Sequence, residues 1–181
     1  MARNKGEELI KKLNLEPHPY GGYYRPLHRS VECVAPADGR GPRSATTSIY
    51  LVMQHGDIDP WHRMKSEETF FYHKGCSLRL YILTDDGKLD SRVVGDGMSY
   101  EDASFAVVIP ANTWFAGELA HEDADSYGFF SVSVSPGFDF SDSEIGKSDM
   151  LCELYPIHSE ILKRLELKPQ PESQDKDESA E

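Results

Sequence analysis

The chain has 181 residues and 39% hydrophobic content, enough for one well-buried core and too little to expect two. Its formal net charge is −12, from 31 acidic against 19 basic residues. That balance repels phosphate backbones and anionic membrane surfaces, and no Lys/Arg cluster offsets it, so neither a nucleic-acid nor a membrane partner is expected.

The N-terminal MARNKGEELIKKL lacks the apolar core and cleavage site of a signal peptide, and no later run approaches the roughly 20 apolar residues that span a bilayer. Leu9, Ile10 and Leu13 fall at helical spacing, predicting a short amphipathic helix over Glu7 to Leu13 that covers one barrel end. The sequence His18-Pro19-Tyr20-Gly21-Gly22 ends it, and Tyr23-Tyr24-Arg25 opens an extended stretch. Ala35 to Arg43 is a loop by composition. From Thr46 onward short β-rich runs alternate with turns: Thr47–Met53, Glu68–His73, Ser77–Leu83, Phe105–Ile109 and Tyr127–Val134. Asp85-Asp86-Gly87 suits a hairpin turn. Such a pattern predicts an all-β sandwich or closed barrel. Pro156 to Leu165 reads as a closing helix with Ile157, Ile161, Leu162 and Leu165 on its apolar face. Residues 1–167 are therefore taken as one domain, and 168–181 as a disordered acidic tail. Cys33, Cys76 and Cys152 are odd in number and widely spaced, which fits a reducing, cytoplasmic setting with incidental thiols.

The chemistry concentrates in Trp61 to Gly75, WHRMKSEETFFYHKG. Residues two apart in a strand share a face, so His62 pairs with Met64, and Glu68 with Phe70 and Tyr72. A hairpin turning at Lys65-Ser66-Glu67 is expected to bring His62, Met64, Glu68 and Phe70 together. A histidine and a carboxylate among apolar side chains form a plausible proton carrier or ligand pair. The bland alternative is a barrel histidine and glutamate that merely satisfy each other. His73 falls out of phase and is expected to face away. His28, His55 and His121 are expected in solvent, as is the acidic stretch of Asp139, Asp142 and Glu144. The run Val107 to Gly117 places Pro110-Ala111-Asn112 at a turn needing left-handed geometry, and points Trp114 or Phe115 back into the barrel mouth. Trp61 is expected outside the barrel, helping to bury a dimer face.

The spacing His62-x-Met64-x3-Glu68-x6-Gly75 resembles the first cupin motif, and Pro110-x-Asn112-x2-Phe115 the second. Tyr20 to Arg25, Thr47 to Tyr50, His62 to Glu68 and Ser135 to Phe140 are similar to one branch, the fifth cupin family. That branch resembles the epimerases acting on dTDP-4-dehydrorhamnose more than the metal dioxygenases. The resemblance runs from about Glu7 to about Gly146. It implies a double-stranded β-helix (a jelly-roll barrel) with short N- and C-terminal helices, and a homodimer. Metal-binding cupins use three histidines and a glutamate, whereas here Met64 and Phe115 occupy two histidine positions. Only His62 and Glu68 remain as donors, so no metal cofactor is expected.

Two functions follow, and a third, a metal-dependent enzyme with its ion on His62 and Glu68, needs a further ligand that the sequence does not show. The first is a metal-independent pocket for a sugar- or nucleotide-like metabolite, lined by Tyr24, Arg25, Met64, Phe70, Trp114, Phe115 and Phe130 around His62 and Glu68. The second is an epimerase with His62 as general base, Glu68 orienting it and Tyr72 returning a proton. The rhamnose-pathway enzymes also pair their histidine with an aspartate, which the sequence pattern does not locate.

Overall fold

A computed structural model describes residues 5–121 and 126–168. The expected tail from residue 169 onward lies outside the described residues. The chain opens with helix α1 (Lys5–Leu13), then β1 (Glu16–Pro17), β2 (Tyr23–Arg29), and the small hairpin β3 (Cys33–Val34) and β4 (Arg43–Ser44). The barrel proper follows: β5 (Thr47–Gln54), β6 (Ile58–Met64), β7 (Glu67–Gly75), β8 (Leu78–Leu83) and β9 (Leu89–Val94). Next come β10 (Ala103–Ser104), β11 (Ala106–Ile109), β12 (Phe115–Leu119), β13 (Tyr127–Ser135) and β14 (Ser143–Ile145). Helices α2 (Ser148–Leu154) and α3 (Ser159–Arg164) end the described chain.

Two six-stranded sheets face each other, in the orders β1-β2-β5-β13-β7-β11 and β10-β9-β8-β12-β6-β14. Successive strands cross between them, which is the jelly-roll pattern. Period-2 alternation fills the interior: in β13, Phe130, Val132 and Val134 point in, while Phe129, Ser131 and Ser133 point out. The inward set of both sheets makes one core, with Phe70, Leu80, Ile82, Ile109, Phe115 and Phe130 nearly or wholly buried.

Because β6 lies in one sheet and β7 in the other, the expected hairpin between them does not form. The chain turns a corner at Lys65-Ser66 instead, and β6 and β7 face each other across the barrel. Asn112 takes the left-handed backbone its position requires, with φ at 61°, and its N–H donates to Met64 O at 2.6 Å.

A second core lies on the outer face of the second sheet. Trp61, Leu83, Trp114 and Ala116 pack there against Leu151, Leu162 and Leu165 of the C-terminal helices. Trp61 is thus outside the barrel as expected, but it is covered by its own chain rather than by a dimer partner. Its indole N–H donates to Ile161 O, and its backbone N–H to Leu165 O. Glu166 caps α2, accepting from the Ser148 N–H and hydroxyl at 2.8 Å each. The expected single helix over Pro156 to Leu165 divides into a 3₁₀ turn, Pro156–His158, and α3, leaving Ile157 85% exposed. Asp142 is buried rather than solvated, because Arg43 holds both its oxygens (2.7 and 2.9 Å) and Arg40 approaches at 3.3 Å. No helix among the described residues is long and apolar enough to cross a membrane.

Candidate functional site

One end of the barrel is open, and a cavity of about 360 Å³ runs into it. His62 comes from the second sheet and Glu68 from the first, and they meet across the interior with Nε2 and Oε1 3.7 Å apart. Both are buried. The Pro60 carbonyl lies 2.7 Å from His62 Nδ1; a carbonyl only accepts, so Nδ1 carries a proton and Nε2 faces Glu68. Glu68 Oε1 is buried and, among the described residues, has no hydrogen-bond partner.

The aspartate that alternation hides is Asp59. Its Oδ1 lies 3.6 Å from His62 Nδ1. Residues 59 and 62 are three apart and belong on opposite faces of a regular strand. In β6, however, the pairing with β12 shifts from Phe115↔His62 to Gly117↔Asp59, so one extra residue is taken up on β6. This bulge at Pro60-Trp61 puts both side chains into the cavity, and a bulge is where a strand tolerates proline. Pro60 in an otherwise regular strand was the available signal.

The N-terminal turn supplies two further residues the sequence reading passed over. Gly21 has φ of 139°, and a β-carbon there would sit 2.1 Å from Ile58 O. Only glycine lets the turn cross β6 so closely. That crossing seats Tyr20 over His62, ring centroids 5.5 Å apart, with the Tyr20 hydroxyl bonded to Ser143 Oγ at 2.9 Å. His18 stacks edge-on against Tyr20 and Tyr24.

Of the expected lining, Tyr24, Met64 and Phe70 border the cavity. Phe115 packs directly behind His62, at 4.2 Å between centroids, and seals the floor rather than lining the space. Four others are corrected. Arg25 points outward because it alternates with Tyr24, and it lies over the Tyr50 ring on the outer sheet face. Trp114 alternates with Phe115 and falls into the helix-covered core, under the Arg63 guanidinium at 4.5 Å. Phe130 fills the closed end beside Tyr72. Tyr72 shares the Glu68 face but is four residues away, about 13 Å along the strand. Its hydroxyl is spent on Gly75 O. As expected, His73 faces away, bonded to Ser131, while His55 and His121 are exposed. His28 is exposed too, though it borders the cavity mouth, where Phe138 and Phe140 form an aromatic rim. Cys33 is exposed, and Cys76 and Cys152 are half-buried.

Electrostatics set the cluster's protonation. Burial alone lowers His62, but Asp59, then Glu68, then the Pro60 carbonyl outweigh it and raise the imidazole to about 9. Burial lifts Asp59 to about 6, the His62 charge opposing. His18 is pushed down to about 4, by burial and then by the His62 charge. At neutral pH a charged His62 thus lies beside the Asp59 carboxylate, with the Glu68 side chain facing its Nε2 and a neutral His18 nearby.

A jelly-roll barrel with an open cavity around a histidine and a glutamate on facing sheets defines a cupin-type protein. A sequence profile described as cupin superfamily (DUF985) matches residues 7–146, and the chain belongs to that family. It is similar to a hypothetical protein from Leishmania major, with 32% identity over 90% of this chain and 98% of that one, at a TM-score of 0.81. A protein from Shewanella oneidensis is 27% identical over 91% of this chain and 98% of its own, at 0.79. The oxalate decarboxylase of Bacillus subtilis shares the fold at 17% identity and a TM-score of 0.52; the match takes in 84% of this chain and 37% of that one. None of the curated proteins matches the sequence.

The usual cupin metal does not fit this donor set. Met64 and Phe115 stand where two histidines would, leaving His62 Nε2 and Glu68 Oε1. Among the described residues, no group of three or more His, Cys, Asp and Glu side chains is arranged to hold an ion.

In an NMR pH titration the His62 ring is expected to titrate near 9 and His18 near 4, with Asp59→Asn lowering the His62 midpoint. The folded pKa of His62 exceeds its ordinary 6.5, so its contribution to stability is full below 6.5 and is lost as pH rises through about 9. A His62 midpoint at or below 6.5 would overturn this electrostatic picture.

Proposed function

We propose that this protein binds a small hydroxylated ring compound, sugar- or nucleotide-like, in the open end of the barrel without a metal. The observation that carries this is the unpartnered, buried Glu68 oxygen facing His62 Nε2 at the end of a ligand-sized cavity. An orphan buried acceptor is costly unless something completes it. A ring hydroxyl does so, donating to Glu68 while accepting from the imidazolium. The aromatic rim of Tyr24, Phe138 and Phe140 suits a planar or apolar portion left towards the mouth. A ligand supplied at 100 times its Kd stabilises by about 2.7 kcal/mol, which raises Tm by roughly 5–10 °C. In a thermal-shift screen of sugars, nucleosides and sugar nucleotides, a shift of this order is expected and should vanish in His62→Ala. A screen in which every shift survives that substitution counts the reading out.

A second reading, isomerisation beside a carbonyl, is favoured by one observation: Asp59 flanks His62 Nδ1 while the Tyr20 ring stands on another side. His62 Nε2 would take a proton from the carbon next to a carbonyl, the electron pair moving onto the carbonyl oxygen. The Tyr20 hydroxyl, rather than Tyr72, would return a proton to the opposite face. His62 is protonated at neutral pH, so the rate should rise with pH towards about 9. Keto-sugars that take up no deuterium from solvent at any pH would rule this out.

We also infer that two copies pair through the outer face of the first sheet. Phe71, Val108 and Phe105 are 39%, 45% and 50% exposed there, beside Tyr50 and Phe129. Contiguous exposed apolar surface of this kind marks association sites. Light scattering on dilute protein should give a dimer, and Phe71→Asp a monomer; a monomeric wild type contradicts the inference.

A further inference from the structure

The cavity has two ends of opposite character, and the difference bears on the charge of its occupant. At the inner end stand Asp59, His62 and Glu68, with His18 and Tyr20 beside them. Two carboxylates thus face one cation. Arg29 is the only lysine or arginine among the lining residues, and it lies at the mouth, exposed and donating to Phe138 O at 3.0 Å. Among the described residues, therefore, no guanidinium or ammonium group reaches the inner end to receive an anion. One N–H of His62 is already committed to Pro60 O. The Glu68 side chain is only 9% exposed, and among the described residues no group lies within hydrogen-bonding distance of its Oε1, His62 Nε2 facing it at 3.7 Å.

An anionic group pushed to this depth would lose its water and meet an excess of negative charge in low dielectric. A group bearing O–H or N–H would satisfy Glu68 and, if cationic, neutralise the surplus. We propose that the cavity selects its occupant by the charge of the inner end: it takes a hydroxyl- or ammonium-bearing head against Glu68 and Asp59, and refuses a carboxylate or phosphate there. Any phosphate on a nucleotide-like ligand stays at the mouth. This deepens the reading of the cavity as a site for a hydroxylated ring, and it rests on that reading.

The test uses the full chain and three para-nitrophenyl glycosides, those of glucosamine, glucose and glucuronate. They share an aromatic end and present cationic, neutral and anionic heads. Binding is counted where it shifts the His62 ring resonance. At neutral pH the glucosamine and glucose compounds are expected to bind at least about 10-fold more tightly than the glucuronate one. Glu68→Gln, which keeps the shape and removes the charge, should shrink that ratio. Glucuronate binding equal to or tighter than the others overturns the charge selection while leaving the cavity reading intact. A ratio unchanged in Glu68→Gln removes Glu68 as its cause and overturns the assignment. Silence from all three heads brings down the hydroxylated-ring reading itself, and this proposal with it.

Discussion

A charged imidazole held away from water is expensive unless carboxylates surround it, and the open end of this barrel is organised around meeting that requirement. Glu68 reaches His62 from the facing sheet, Asp59 from a bulge in its own strand, and the Pro60 carbonyl fixes the ring from behind. Each contact constrains backbone elsewhere. The corner at Lys65-Ser66 has to carry the chain from one sheet to the other within two residues, and the turn at Gly21 has to pass close over β6. Phe115, wholly buried, packs against the His62 ring from behind. The result is a polar cluster that is well held on one side and incomplete on the other.

That incompleteness is what supports the proposed binding role over a purely structural ion pair. A histidine and a glutamate that served only to satisfy each other would be expected at hydrogen-bonding distance. Here they stop at 3.7 Å, and the glutamate oxygen is left over. Asp142, by comparison, is held by Arg43 through both oxygens and Glu166 by Ser148, while among the described residues the Ser66 hydroxyl and Arg40 Nε are, like Glu68 Oε1, buried without a hydrogen-bond partner.

The jelly roll was legible because period-2 alternation is a local signal, and β7 and β13 keep it over most of their length. The pair His62 and Glu68 was legible for the same reason, together with the family-like spacing. What was not legible depended on departures from the period or on pairing between distant segments. Tyr24 and Arg25 were both expected to line the pocket, as were Trp114 and Phe115, although neighbours along a strand face opposite sides and the pattern did not say which side was inside. The bulge at Pro60-Trp61 broke the count that would have joined Asp59 to His62. Tyr72 lay on the correct face but at the wrong depth, which strand length alone could have revealed. His18 and Tyr20 belong to a turn some forty residues before β6 ends, and no periodicity links such segments.

The second core changes how freely this protein can vary. Trp61, Trp114, Leu151, Leu162 and Leu165 are packed on the far side of the second sheet, and Phe130, Leu78 and Leu80 fill the closed end of the barrel. Neither group borders the cavity. Much of the apolar burial that holds the fold is therefore spatially separate from the residues that line the cavity, and substitutions around the mouth leave those cores packed. Over evolutionary time such a division lets one barrel explore different occupants while its stability stays nearly constant.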